Sequence, residues 1–148
     1  GGAPGADEDA GGGRFVGRAG KLLDQMLAAI GHSRTDSVFI ANVFKCRPPG
    51  NRDPEADEVR ACRPFLDQQI RLIRPRLILA LGRIAAQRLL DTDQPLSKLR
   101  GPLHAYGDTR TPVLVSYHPA YLLRSPREKA KSWQDLKQVW RQLHAPPG

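Results

Sequence analysis

Asn42 and His118 each follow a run of β-branched and aromatic residues, Ser37–Ala41 before Asn42 and Pro112–Tyr117 before His118. Both are hydrogen-bonding groups that could recognise or polarise a ligand. Standing alone, an asparagine there more often caps a loop and a histidine is more often structural. Asp7 and Glu8 lie in a glycine-rich stretch, where carboxylates could orient water or simply sit in solvent. Cys46 and Cys62 have fifteen residues between them, which fits neither a zinc finger nor a redox C-x-x-C. From the spacing alone they read as two buried structural thiols, and a disulfide is not expected in a reducing cytoplasm.

The elements that must position these residues are readable from periodicity. Gly1–Gly20 reads as a glycine-rich surface or active-site loop. Leu22, Leu23, Met26, Leu27 and Ile30 repeat at helical spacing, with Gly31 as the C-cap. Ser37–Lys45 predicts a buried strand, and Cys46–Arg52 a Pro/Gly loop. Asp53 and Pro54 look like the start of a helix whose apolar side carries Val59, Cys62, Phe65, Leu66, Ile70 and Ile73. Leu77–Leu81 predicts a second strand, Gly82 opens a short helix to about Leu90, a polar loop follows, and Pro112–Tyr117 predicts a third strand. Ser125, Pro126 and Glu128 form a capping-box pattern before a helix expected to bury Trp133, Leu136, Trp140 and Leu143. The tail Ala145–Gly148 reads as disordered.

Strands alternating with helices imply an α/β fold with a parallel sheet and right-handed crossovers. Ligands of such sheets bind beyond the carboxyl ends of the strands, which points to Asn42 and its loop, Gly82 and His118. The 148 residues fit one domain, 1–148. No apolar run approaches the roughly 20 residues of a membrane span, so the expected location is cytoplasmic with no membrane partner. The formal charge of +8 is uneven: residues 1–59 hold 7 Lys/Arg against 9 Asp/Glu, and residues 60–148 hold 16 against 6. That asymmetry suits one face laid on a polyanion, although Arg-rich surfaces are common for other reasons.

Three segments together resemble one family. Gly1-Gly2-Ala3-Pro4-Gly5-Ala6-Asp7-Glu8-Asp9 with Arg14-Phe15-Val16-Gly17-Arg18-Ala19-Gly20 is similar to the first motif of the iron–sulfur-containing (family 4-like) uracil-DNA glycosylases. Asn42-Val43-Phe44-Lys45-Cys46-Arg47-Pro48-Pro49 with Asn51, Arg52 and Pro54 resembles their second motif, and Ser116-Tyr117-His118-Pro119-Ala120-Tyr121-Leu122-Leu123-Arg124 their third. The resemblance implies a three-layer α/β/α sandwich with a short parallel central sheet. It also implies a monomeric bacterial or archaeal repair hydrolase that flips uracil out of single- or double-stranded DNA and cleaves its N-glycosidic bond.

The resemblance also assigns roles. Gly2, Ala3, Phe15, Asn42 and His118 would form the uracil pocket, with Phe15 stacking on the base and the Asn42 amide pairing with N3–H and O4. His118 would donate to uracil O2 and stabilise the departing anion. Glu8, with Asp7, would orient the attacking water or balance the sugar cation. Leu122 and Leu123 would wedge into the duplex while Arg124 grips phosphate. By charge alone Arg14, Arg18, Lys98 and Arg100 are further candidates for phosphate contact, although isolated basic loop residues are common. Cys46 and Cys62 would supply two of the four thiolates of a structural 4Fe-4S cluster.

The sequence departs from the family pattern in three ways. Two further cysteines and a central hydrophobic strand are expected upstream of the first motif, where this chain begins. Gly2 stands where the family usually has a glutamate beside the scissile bond. That last change leaves open a catalytically weak or inactive relative that only binds uracil or DNA.

Overall fold

The computed structural model describes residues 17–32, 38–41 and 66–144. Helix α1 (Gly17–Ala29) turns Leu23 and Leu27 inward, and Ile30 behind them. It begins at Gly17, inside the stretch read as loop, because Gly20 packs on the same buried side as Leu23 and Leu27. Gly31 ends it in the left-handed region, at φ +79°, as a C-cap glycine should. Strand β1 (Val38–Ala41) follows, and then α2, helical over residues 66–73. Leu66 and Ile70 are buried as expected, but Ile73 is exposed. It sits on the last turn, where Arg74 at φ +51° takes the chain out of the helix.

Strand β2 (Leu77–Leu81) is buried along its whole length and leads through Gly82 into α3 (Arg83–Leu90). The segment read as a polar loop contains a short helix, α4 (Leu96–Leu99), and a three-residue strand, β3 (His104–Tyr106). Strand β4 (Thr111–Ser116) leads into α5 (Pro119–Arg124), a 3₁₀ turn (Pro126–Glu128) and α6 (Lys129–Leu143).

The sheet has the order β1-β2-β4-β3. β1, β2 and β4 are parallel, with Ile40 opposite Leu79 and Leu79 opposite Leu114, while β3 is an antiparallel edge. Alternation splits the apolar side chains between two cores. Ile78, Ala80, Val113 and Val115 pack with α2, α3 and α4, and Leu77, Leu79, Leu81 and Leu114 pack with α1 and α6. Helices on both faces of a mostly parallel sheet make the α/β/α sandwich the sequence implied, and explain why β2 reads as a continuous apolar run.

Two further expectations need correction. Ser125 makes no side-chain capping bond, and Glu128 ion-pairs with Lys131, because proline starts a 3₁₀ turn in place of an α-helical capping box. Trp133 and Trp140 are 40% and 46% exposed. The buried stripe of α6 is Ser132, Asp135, Leu136, Val139 and Leu143, and each tryptophan falls one position past it. The tail 145–148 lies outside the described residues.

Leu79 is buried, 1% exposed, and sits in the middle strand pair. Leu79→Ala should destabilise the protein by about 2–5 kcal/mol, the usual range for an emptied leucine site. Chemical denaturation of the two proteins side by side checks this.

Candidate functional site

The carboxyl ends of β2 and β4 are tied together by backbone. Gly82 N–H donates to the Ser116 carbonyl at 2.8 Å, and Gly82 adopts φ +94°, a conformation that disfavours any side chain. This bond closes the sheet where the chain leaves β4 for Tyr117 and His118.

His118 is the N-cap of α5 and is buried, 9% exposed. Its carbonyl accepts from the N–H groups of Tyr121 (2.9 Å) and Leu122 (3.3 Å), and its ring Nδ1 accepts from the Ala120 N–H at 3.0 Å. A neutral ring that accepts through Nδ1 carries its hydrogen on Nε2, which is then the donor. Burial lowers the His118 pKa from 6.5 to about 4, and the nearby Arg124 cation adds to the effect. The ring is therefore neutral at physiological pH, in one tautomer, and can give a hydrogen bond without first losing a charge.

The other described candidates divide by exposure. Arg18 on α1, Lys98 on α4 and Arg124 at the end of α5 are exposed, and α1 packs against α5. Leu123 is half-buried, whereas Leu122 is 0% exposed and is part of the packing beneath α5. Leu122 therefore cannot reach a duplex from this arrangement, and of the apolar pair only Leu123 has surface to offer.

Arg100 is not turned to solvent either. Its Nε and Nη2 reach Asp135 Oδ2 and Oδ1 at 2.9 and 3.1 Å, Nη2 also donates to the Lys131 carbonyl, and the guanidinium lies 4.6 Å from the centre of the Tyr117 ring. Desolvation opposes the Arg100 charge, but the Asp135 hydrogen bond and its negative charge leave the pKa raised. Asp135 and Ser116 escaped sequence reasoning. The available signal was that Asp135 is the sole acid of α6 and falls on its apolar stripe, a position that demands a partner.

Gly2, Ala3, Asp7, Glu8, Arg14, Phe15, Asn42, Cys46 and Cys62 lie outside the described residues. Among the described residues no group of three His, Cys, Asp or Glu side chains could hold a metal ion. A groove of about 350 Å³ between α1 and α6 is lined by Ala29, Ile30, Trp133, Lys137, Trp140 and Arg141. It contains no candidate residue and lies towards the end of α1 from which the chain returns to the start of β1.

The His118 environment has a measurable consequence. With the folded pKa near 4 and the unfolded value near 6.5, the unfolded chain binds the proton more tightly between them. The neutral ring's contribution is therefore complete above pH 6.5 and is lost as the pH falls towards 4. Between pH 7 and pH 4.5 the protein should lose about 2 kcal/mol that a His118→Asn variant does not lose. Urea denaturation of both proteins at the two pH values checks it; equal losses would show that the ring titrates normally.

Comparison with known proteins identifies the family. The Uracil DNA glycosylase superfamily matches residues 1–144. The chain is 44% identical to a type-4 uracil-DNA glycosylase of Archaeoglobus fulgidus over 143 residues, covering 93% of this chain and 71% of that protein. It is 42% identical to that of Saccharolobus solfataricus, covering 98% and 70%, and 43% identical to that of Sulfurisphaera tokodaii, covering 93% and 65%. The chain thus spans about two thirds of the length of the curated relatives it matches. No described helix is long and apolar enough to cross a membrane. By sequence and by architecture, the chain belongs to the uracil-DNA glycosylase superfamily, among the type-4 enzymes.

Proposed function

We propose that this protein removes uracil from DNA by hydrolysing the bond between the base and its deoxyribose after the nucleotide has been flipped from the strand. The observation that carries the reading is the neutral, Nε2-protonated His118 buried at the carboxyl end of β4, in a chain 42–44% identical to named uracil-DNA glycosylases. A base inside a duplex cannot be reached, so it must be taken into a pocket and read on its Watson–Crick edge. As the glycosidic bond breaks, negative charge gathers on the departing base. A fixed neutral donor at its O2 stabilises that charge with no reorganisation at the moment of reaction.

The remaining assignments rest on the motifs. Phe15 stacks on the base, Gly2 and Ala3 line the pocket, and the Asn42 amide accepts from N3–H and donates to O4. Cytosine offers the reverse pattern there and would leave buried polar groups unpaired. Asp7 and Glu8 hold the water or balance the sugar cation. Leu123 fills the space left by the flipped base, Leu122 anchors it from below, and Arg124, Arg14, Arg18 and Lys98 meet phosphates of single- or double-stranded DNA. Cys46 and Cys62 are two of the four thiolates of a 4Fe-4S cluster that contributes structure and no step of the reaction. The unit is one domain, monomeric and cytoplasmic, where its DNA substrate lies.

Release of uracil from a uracil-containing oligonucleotide by the full-length protein tests the reading, and no release would end it. Asn42→Asp should abolish uracil excision; unchanged activity would remove Asn42 from the pocket. Gly2 lacks the carboxylate the family usually carries there, and one general base contributes on the order of 10²–10⁴ in rate. Excision should therefore be slow, and Gly2→Glu should raise it at least about tenfold with little change in DNA affinity. Full-length protein should be brown, and Cys46→Ala or Cys62→Ala should each bleach it; a colourless, active preparation would leave the cysteines as core residues.

A further inference from the structure

Three consecutive residues, Ser116, Tyr117 and His118, carry the chain from β4 to the donor ring, and each is held by a different contact. The Ser116 hydroxyl donates to Asp135 Oδ2 at 2.6 Å, and its carbonyl accepts from Gly82. The Tyr117 ring lies under the Arg100 guanidinium and stacks on Tyr121 at 5.1 Å between centroids. The Ser116 hydroxyl bond and the Tyr117 ring contact converge on one ion pair, Arg100–Asp135, whose side chains are 15% and 7% exposed. Its partners come from the end of α4 and from the middle of α6, 35 residues apart.

We infer that Arg100 and Asp135 are positioning residues for the reaction: the pair clamps Ser116 by hydrogen bond and Tyr117 by its ring face, and so fixes where His118 presents its Nε2–H. The geometry favours this over a purely stabilising bridge. A bidentate pair made only to join α4 to α6 has no need of Ser116 or Tyr117. Here Asp135 spends Oδ2 on both Arg100 Nε and the Ser116 hydroxyl, and Arg100 turns its open face to Tyr117. Tyr121, the outer ring of the stack, directly follows Ala120 in α5, the residue whose N–H holds His118 Nδ1. The clamp therefore bears on both sides of His118 along the chain.

The inference rests on the proposed use of His118, and its test separates the two. A buried ion pair can often be replaced by apolar groups of similar volume without loss of stability. In the full-length protein the triple variant Arg100→Met/Ser116→Ala/Asp135→Leu removes the pair and leaves no polar group of the network behind. The expected result is a thermal midpoint no lower than the parent's, kcat on a uracil-containing single-stranded oligonucleotide lowered about tenfold to a hundredfold, and KM nearly unchanged. The His118 ring signals in NMR should shift from those of the parent. A stable triple variant with parental kcat and parental His118 signals overturns the inference, since a merely structural bridge predicts that outcome. Should the triple variant not fold, Tyr117→Leu leaves the ion pair intact and removes only the ring. It should lower kcat about threefold to tenfold and move the same signals, and parental values of both would likewise overturn the inference. If the parent protein releases no uracil, the functional reading fails, while the His118 signals still decide whether the clamp sets the ring.

Discussion

An ionised carboxylate on the buried stripe of a helix has to be matched where it stands, because removal from water costs several kcal/mol per ion and leaving it unpaired costs as much again. Asp135 is that carboxylate, 6% exposed between α6 and the sheet. The requirement reaches outwards from it. Arg100 must lie flat against both oxygens, which draws the segment after α4 over α6, and the Lys131 carbonyl takes the spare guanidinium hydrogen. Ser116, at the last position of β4, donates to the other lone pair of Oδ2. The exit of the central strand is thereby set by electrostatics as well as by the apolar cores on its two faces.

The same low-dielectric surroundings act in the opposite sense on His118. Burial around His118, and the Arg124 cation nearby, both disfavour the protonated ring. At one end of one sheet Asp135 is tied into an ion pair with Arg100, while His118 is held as a neutral ring. The charged one makes a rigid support. The neutral one is, on the proposed reading, a donor whose strength would be spent only when an anion develops opposite it.

The sheet was legible because β2 and β4 carry apolar residues on both faces, which no solvent-facing strand would. Helix α1 was legible from its 3.6-residue stripe and its Gly31 stop. β3 and α4 were not, since three or four residues give no period to read, and Gly101-Pro102 between them reads as loop. The tryptophans misled for a different reason. A large aromatic beside a buried stripe can cover its edge, and Trp140 does so while stacking on His144 at 4.4 Å. At the site, His118 was found by its place after a strand and by the motif around it. Arg100 was grouped with phosphate contacts because an isolated basic residue in a loop carries no mark of its partner. The mark was on Asp135, 35 residues away.

In the pair Leu122-Leu123 the fold separates two residues to which the motif gave one role. Consecutive residues on a helix point about 100° apart, so both cannot face DNA. In α5 Leu122 is enclosed and Leu123 lies at the boundary, with the exposed Arg124 next to it. A wedge pushed between bases meets a restoring force from the stack it opens, and it can hold only if its own backbone does not yield. Leu122 supplies that resistance by being locked into the core, and the His118 carbonyl supplies more by accepting the N–H groups of Tyr121 and Leu122. On the proposed reading, the residue that would stabilise the leaving base and the residues that would keep it out of the stack share one turn of backbone, so that inserting the wedge and presenting the donor would be a single rigid act.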